Sequence, residues 1–258
     1  METIEVSRAD GVVTVCISRP GKKNAATPQT WRDLLLVLQD IGRRSTDRAV
    51  VITGGGDDFC SGADLWVEPN GELAPHWLSA MRQVGDAALA LHRLPQPTIA
   101  KVRGVAVGAG CNLAFGCDLV VASETARFSE IFSRRGLSLD FGGSWLLPRR
   151  VGLHRAKELA FFGDILSAAE AADMGLVNRV VADADLDEFV GGWAQRLAAA
   201  PPIALAQSKR LLNNAMSVTM EQALDDESTA QSINFATRDT TEAISAFVEK
   251  RTPVYRGL

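Results

Sequence analysis

Two segments rich in small residues have the composition of sites where the main chain itself contacts a ligand. They are residues 59–65 (FCSGADL) and 108–112 (GAGCN). Small side chains let a ligand oxygen reach backbone N–H groups, and an N–H at a helix start presents its positive end to that oxygen. Two such donors that converge form an oxyanion hole. Spacing alone leaves the convergence open, because either segment by itself is also typical of an ordinary turn.

Other common catalytic motifs are absent from the sequence. Gly108-Ala109-Gly110 is followed by Leu113, so the GxGxxG pattern fails, and neither GxxxxGK[ST], GxSxG nor HExxH occurs. The four cysteines form no CxxC pair and only three histidines are present, so no zinc-ligand spacing exists and no metal site is predicted. We expect the cysteines to be reduced and mostly buried.

Four stretches of the chain resemble the enoyl-CoA hydratase/isomerase family, also called the crotonase superfamily. They are ITGGGDDFCSGADL (52–65), PTIAKVRGVAVGAGCNLAFGCDLVVASETARFS (97–129), GLSLDFGGSWLLPRRVG (136–152) and AISAFVEKRTPVY (243–255). The resemblance implies a spiral of ββα units followed by a C-terminal helical region. It also implies acyl-CoA thioester substrates, stabilisation of a thioester enolate, and homotrimers or hexamers built as dimers of trimers.

The resemblance assigns the oxyanion donors to the N–H groups of Ala63 and Ala109, and Asp140 to proton transfer. The substrate-binding residues that it implies are Lys22, Lys23, Ala25, Ala63, Asp64, Leu65, Trp66, Asn112, Phe132, Trp145, Phe247 and Lys250. Because CoA is part of the substrate, no separate cofactor is expected. Other interpretations stay open: Trp66 and Trp145 also suit core packing, Asp64 suits loop ordering, and Lys250 suits an exposed helix.

The sequence departs from the hydratase pattern at two positions. Hydratases of this family use two glutamates, and the matching positions here are Asn112 and Phe132. Neither side chain can donate or take a proton, although general acid–base help typically contributes about 10² to 10⁴ in rate. Glu130 lies two residues before Phe132 and reaches the site only if the alignment shifts locally. We therefore do not expect efficient hydration.

Asp140 is the remaining acidic residue whose position in the sequence suggests a catalytic role. Its position resembles that of the aspartate in dienoyl-CoA isomerases, in ring-epoxide isomerases of phenylacetate metabolism and in the nucleophilic site of chlorobenzoyl-CoA dehalogenases. We expect Leu139 and Phe141 to desolvate it and raise its pKa above about 3.9. One carboxylate can move a proton between two carbons, which is isomerisation. The alternative is that Asp140 caps a helix that starts near Gly142.

The elements that position these residues alternate as in an α/β fold with buried parallel strands. Asp10-Gly11 predicts a hairpin, and strands are predicted at 49–53, 98–102, 119–122 and 176–181. Helices are predicted to begin at Pro28, to run over 75–93, and to fill 154–162, 167–173, 186–200, 202–215 and about 219–250. Pro201-Pro202 divides residues 1–200, the spiral core, from residues 201–258, a C-terminal helical trimerisation region.

Composition limits the class of protein. The 258 residues are 47% hydrophobic and 22% charged, with a formal net charge of −4, which fits a globular protein without a dedicated nucleic-acid surface. The first ten residues, METIEVSRAD, carry no signal-peptide pattern. The most apolar region, residues 102–122, is broken by Arg103, Asn112 and Asp118, so no membrane span is predicted. The expected location is the cytoplasm.

These observations favour an acyl-CoA isomerase that works through a thioester enolate. Three alternatives stay open. One is an enoyl-CoA hydratase of fatty-acid β-oxidation that uses Glu130 or another acid. The second is a catalytically silent acyl-CoA-binding or assembly subunit, and the third is a dehalogenase-like reaction with Asp140 as nucleophile.

Overall fold

The computed structural model describes residues 3–64 and 76–258. The strands, in chain order, are β1 (Ile4–Ala9), β2 (Val12–Ile17), β3 (Ala49–Gly54), β4 (Thr98–Val102), β5 (Val105–Val107), β6 (Leu119–Ser123), β7 (Arg127–Ser129), β8 (Leu166–Ser167) and β9 (Arg179–Val181). The helices are α1 (Pro28–Gly42), α2 (Trp77–Arg93), α3 (Ala109–Gly116), α4 (Gly143–Phe162), α5 (Ala168–Asp173), α6 (Leu186–Ala198), α7 (Pro202–Asn214), α8 (Met220–Phe235) and α9 (Arg238–Glu249).

The main sheet has the order β1-β2-β3-β4-β6-β9 and confirms the predicted α/β class. Within the described part of this sheet, β1 and β2 form the one antiparallel pair, and their turn carries the left-handed residues Asp10 (φ 49°) and Gly11 (φ 79°), as the hairpin prediction requires. The next pairs are parallel. Strands β3, β4 and β6 are almost continuously apolar because both faces of the sheet are covered.

Two hydrophobic clusters cover the two faces of this sheet. The larger cluster joins one face to α1, α2 and α3, and includes Trp31, Leu34 and Phe115. The smaller cluster packs Val51, Ile99 and Val121 against the buried side of α6. Helix α3, which packs in the larger cluster, carries the candidate residues Ala109 and Asn112, so core packing fixes their position.

A second, small sheet of order β5-β7-β8 was not predicted from the sequence. Its strands have two or three residues, too few to show an alternating pattern. The second small-residue segment therefore directly follows β5, which lies between it and β4. An isolated bridge between Cys60 and Ala106 places the first small-residue segment beside β5.

The C-terminal third is helical, as predicted, with different boundaries. The predicted helix at 154–162 is the second half of α4, which kinks at Gly152 (φ 77°). The long helix predicted over about 219–250 is two helices, because Thr237 caps α9 and interrupts the run. Helix α7 begins at Pro202, as the proline pair indicates. Among the described residues, no helix combines the length and apolar character that crossing a bilayer requires.

Candidate active site

The first candidate donor, the N–H of Ala63, points away from its neighbouring chain segment. Ala26 forms a parallel bridge with Ala63, in which Ala26 N donates to Gly62 O (2.8 Å) and Asp64 N donates to Ala26 O (2.8 Å). In such a ladder the amide of the residue between these two bonds faces the opposite side. Within the described ranges, the Ala63 N–H donates to no protein acceptor.

The second candidate donor, the N–H of Ala109, lies at the first residue of α3. Gly108 precedes it in a left-handed conformation (φ 55°), whereas Ala109 is not among the residues with positive φ, so alanine fits there without strain. An N–H in the first turn of a helix has no intrahelical partner and lies at the positive end of the dipole. In the part of the chain that the structure describes, it donates to no protein acceptor.

The two donor loops lie in direct contact. Cys60 N donates to Val105 O (3.0 Å), and Val107 N donates back to Cys60 O (3.0 Å). A Cβ atom at Gly62 would lie 2.8 Å from Val107 O and 3.8 Å from the nitrogen of Ala109. The close approach therefore requires glycine at position 62, which also has φ 91°. The loops that carry the two amides are adjacent, as an oxyanion hole requires.

The segment that carries Lys22, Lys23 and Ala25 runs beside the first donor loop. Ser61 N donates to Lys23 O (3.0 Å), and the Asn24 carboxamide donates to Gly55 O (2.9 Å). Ala25 is buried, whereas the Lys23 ammonium lies 3.6 Å from the Asp58 carboxylate near the surface. The structure thus brings these three predicted residues next to the donor loop. Predicted Leu65 and Trp66 lie outside the described residues.

Arg19 joins the two segments, and sequence reasoning did not assign it a role. Its guanidinium lies 2.9 Å from the Asp64 carboxylate and also donates to the carbonyl of Ala25. Both charged side chains are largely buried. Asp64 therefore orders its own loop, which agrees with the open structural interpretation. The sequence signal for the role of Arg19 was its place directly before a proline, after a buried strand.

Asp140 precedes α4 but does not cap it. The N-cap of α4 is Gly142 (φ 83°), and it makes no side-chain capping bond, so the capping interpretation of Asp140 is wrong. Phe141, which lies between Asp140 and Gly142, also has a left-handed backbone with φ 45°, which is uncommon for a bulky residue. Its ring packs against Trp31 at a centroid distance of 5.1 Å. Core packing therefore holds the strained turn that follows Asp140.

The Asp140 carboxyl group is half-buried and weakly bonded. Its Oδ1 is buried and has no hydrogen-bond partner among the described residues. Burial raises the pKa of Asp140 to about 6, because the charged form loses solvation. The prediction of a raised pKa is confirmed. Such a carboxylate is ionised near neutral pH and basic enough to take a proton from carbon.

Asn112 connects the second donor loop to the Asp140 loop. It is buried one turn into α3, and its backbone N–H donates to Gly108 O at 3.0 Å. Its Nδ2 lies 3.0 Å from the carbonyl oxygen of Asp140 and 3.2 Å from Oε2 of Glu130. A Cβ at Gly143 would lie 2.4 Å from Nδ2, so the carboxamide packs tightly against the start of α4.

Glu130, which we expected to reach the site only if the alignment shifts locally, lies against the Asn112 carboxamide. The side chain is 3% exposed, and burial raises its pKa to about 8 although the Cys111 thiol and the Asn112 carboxamide favour the charged form. The charge on Asp140 raises the pKa further. β7 and the short 3₁₀ turn Ile131–Arg135 place Glu130 against Asn112 and the Phe132 ring beside Gly108. The signal in the sequence was an acid within an apolar strand–turn segment.

Of the remaining predicted residues, Phe132 lies near the donor loops, whereas Trp145, Phe247 and Lys250 lie elsewhere. Phe132 is buried, and its ring would lie 3.6 Å from a Cβ at Gly108. Trp145 contacts His92 edge-on at 5.0 Å and Arg149 at 4.0 Å, and lines a cavity of about 760 Å³ between α2, α4 and α7. Phe247 is 85% exposed on α9, and Lys250 ends that helix.

Comparison with known proteins agrees with this geometry. The model of the family described as enoyl-CoA hydratase/isomerase matches residues 7–257. The chain is 37% identical to 1,2-epoxyphenylacetyl-CoA isomerase of Escherichia coli over 100% of this chain and 99% of the relative. It is 33% identical to short-chain-enoyl-CoA hydratase of Clostridium acetobutylicum, with 97% and 96% covered. The crystal structure of enoyl-CoA hydratase from Bacillus anthracis superimposes with a TM-score of 0.94 at 33% identity, with 99% and 100% covered.

The match extends over the α/β core and the C-terminal helices alike, so the predicted spiral architecture is shown together with the family. The relatives include both isomerases and hydratases, and they act on CoA thioesters according to their names. The chain therefore belongs to the enoyl-CoA hydratase/isomerase family and is an enzyme of the acyl-CoA-processing type.

Proposed function

We propose that this enzyme isomerises an unsaturated acyl-CoA by moving a proton through a thioester enolate. The Ala63 and Ala109 amides hold the thioester oxygen, and Asp140 carries the proton. The observation that supports this most directly is the Asp140 carboxyl, which is half-buried, has an unbonded Oδ1 and does not cap α4. The two positions that hold glutamates in hydratases carry Asn112 and Phe132.

In the first step, the Asp140 carboxylate takes a proton from the carbon next to the thioester carbonyl. The C–H bond breaks, an O–H bond forms on Asp140, and the electron pair moves onto the thioester oxygen. Two preorganised N–H groups stabilise that charge, and removing one such donor typically costs about 10² to 10³ in rate. In the second step, Asp140 returns the proton to the γ-carbon. The double bond then lies between the α- and β-carbons, and the enzyme is unchanged.

The test uses panels of 3-enoyl-CoA and dienoyl-CoA substrates in deuterated water, with mass spectrometry of the products. We expect isomerised product, deuterium uptake at carbon, and loss of both in Asp140→Asn. Full turnover in that variant would exclude the proposal. With a halogenated acyl-CoA substrate, a covalent adduct on Asp140 together with released halide would instead indicate the dehalogenase-like reaction.

Hydration of an enoyl-CoA is a second candidate, because Glu130 is a buried acid near Asn112. The expected signature is water addition to crotonyl-CoA that disappears in Glu130→Gln and persists in Asp140→Asn. If CoA thioesters bind but none of the tested compounds is turned over, the protein is a non-catalytic acyl-CoA-binding or assembly subunit.

We further propose that the enzyme works as a homotrimer or a dimer of trimers, in which the nucleotide end of CoA meets Phe247 and Lys250. Phe247 is 85% exposed and Val248 is 72% exposed, on a helix whose packing partner within the chain is α8. Other large apolar side chains of α7 and α8 are exposed as well, including Leu212, Met220 and Phe235. Sedimentation analysis tests the assembly, and a monomer at micromolar concentration would contradict it.

A further inference from the structure

Glu130 occupies a position that the proposed proton transfer does not use. It follows Ser129, whose carbonyl accepts a hydrogen bond from Gly108 N at 2.8 Å, so it directly follows an anchor of the second donor loop. Its side chain is 3% exposed. A carboxyl group is rarely buried to this extent without a partner of opposite charge. In the described ranges of the chain, no cationic side chain pairs with it.

The contact of Glu130 with Asn112 is geometrically specific. The Nδ2 group of Asn112 has two hydrogens, and its two acceptors are Oε2 of Glu130 (3.2 Å) and the carbonyl of Asp140 (3.0 Å). Rotating the carboxamide by 180° would place its oxygen against both acceptors. The tight packing on Gly143 leaves the group little room to move. Glu130 and the Asp140 carbonyl therefore fix one orientation of Asn112.

We propose that Glu130 is a positioning residue for Asp140, which acts through the Asn112 carboxamide and does so in its neutral form. The proposal rests on the function proposed above, in which Asp140 transfers the proton. Glu130 itself does not touch the substrate in this scheme. It holds Asn112, and Asn112 holds the main chain of the residue that does the chemistry.

The surroundings explain why the neutral form is required. The groups that face Glu130 are Cys111 and Asn112 from α3 and the Asp140 carboxyl from the loop before α4. Asp140 loses its proton first, because burial raises its pKa only to about 6, whereas that of Glu130 rises to about 8. Glu130 therefore ionises next to a group that is already negative. A second charge in a poorly solvated site repels both Asp140 and the developing enolate.

The experiment measures the pH dependence of kcat for isomerisation in wild type, Glu130→Gln and Glu130→Leu. We expect a wild-type profile that rises near pH 6 and falls near pH 8. Glu130→Gln keeps the acceptor but cannot ionise, so the fall at high pH disappears and kcat at pH 9 exceeds wild type about tenfold. Glu130→Leu frees the Asn112 carboxamide, and we expect kcat to fall by up to about 10²-fold with little change in KM.

A matched control is Asp47→Asn, which alters another buried carboxyl, one that pairs with Arg8 at 3.1 Å. It should lower the melting temperature without changing the shape of the pH profile. Two results would overturn the role of Glu130. One is that kcat of Glu130→Gln falls above pH 8 as in wild type, and the other is that a folded Glu130→Leu has the wild-type kcat. Melting curves identify any variant that does not fold, and Glu130→Gln is close enough in shape to decide the question.

A second measurement separates this proposal from the proposed function. Carbon-13 NMR of the side-chain carboxyl groups of the free protein follows both titrations without any substrate. We expect one carboxyl group to titrate near pH 8 and another near pH 6. The first titration should be absent in Glu130→Gln, and the second should be absent in Asp140→Asn. If Asp140→Asn is fully active, the proposed function fails. If Asp140→Asn is inactive, but Glu130→Gln still shows the titration near pH 8 and has the turnover of wild type, only the role of Glu130 fails.

Discussion

The two halves of the candidate site are built in opposite ways. The donor half uses the main chain: Ala63 and Ala109 contribute amides that a parallel bridge and a helix start direct, and close contact of two loops fixes them. The acid half uses side chains: Asp140, Glu130 and Asn112 each contain a buried oxygen without a hydrogen-bond partner in the described part of the chain. The first half is rigid and well bonded, whereas the second combines a strained turn with incompletely bonded polar groups. In the proposed reaction, the main-chain donors would hold the thioester oxygen in a fixed place, while the acid half could change its protonation state.

Removing the acid should have the largest effect. We expect Asp140→Asn to lower kcat/KM by about 10² to 10⁴, which is the usual contribution of general acid–base catalysis. The wild-type rate should fall about tenfold per pH unit below pH 6, where Asp140 becomes protonated, because burial raises its pKa to about 6. The residual rate of the variant should not depend on pH in this range. If the rate of the variant still falls below pH 6, a group other than Asp140 causes that fall.

Displacing one donor should have the next largest effect. In Gly62→Ala the added Cβ would lie 2.8 Å from Val107 O at a φ of 91°, so the loop must shift and the Ala63 amide with it. We expect kcat to fall by about 10² to 10³. The matched control is Gly56→Ala, where φ is 71° but no atom lies within 4 Å of the added Cβ.

Both glycine variants carry the same kind of backbone strain, and stopped-flow or steady-state kinetics compares them directly. Equal losses of kcat in the two variants would mean that strain alone, and not the position of the donor, limits the rate.

The acid half should also affect stability in a pH-dependent way. The pKa of Glu130 is about 8 in the folded protein and about 4.5 in its ordinary range, so its contribution to stability is complete below pH 4.5 and is lost as the pH rises through 8. Glu130→Gln cannot ionise and should be more stable than wild type at pH 8.5, by on the order of a few kcal/mol. Near pH 4.5 the two proteins should unfold at similar urea concentrations. An equal difference at both pH values would mean that folding does not raise the pKa of Glu130.

A smaller effect is expected where a side chain supports the donor half. Arg19→Lys cannot hold both the Asp64 carboxylate and the Ala25 carbonyl, since lysine lacks the forked guanidinium. We expect kcat/KM to fall about tenfold, which corresponds to the loss of one hydrogen bond to a charged group. Arg8→Lys makes the same change in an ion pair with Asp40 and Asp47 and should leave kinetics unaltered.

The sequence located the two donor loops because their signals are local. Small residues at 62–63 and 108–110 mark the places where these two loops approach each other closely. It predicted the parallel strands for the same reason, since continuous apolar runs report burial on both faces. The strand β5 escaped prediction because three residues carry no usable period.

The acid half was less predictable because it depends on contacts between distant segments. The role assigned to Glu130 from its place in the sequence ignored the 3₁₀ turn that follows β7 and brings the acid to Asn112. The left-handed backbone of Phe141 has no local signature, since packing on Trp31 imposes it. Burial of Asp140 was foreseeable from Leu139 and Phe141, whereas no sequence signal shows that the N-cap of α4 is Gly142 and not Asp140.

The parallel bridge between Ala26 and Ala63 has a practical consequence for enzyme engineering. It turns an amide outward by ladder geometry, so the proposed hydrogen bond to the thioester oxygen comes from the main chain and not from the side chains of the acid half. Libraries that vary positions 112, 130, 132 and 140 together can therefore search for new reactions of CoA thioesters on this scaffold. Each member of such a library would keep the Ala63 amide that we propose as one anchor of the thioester carbonyl.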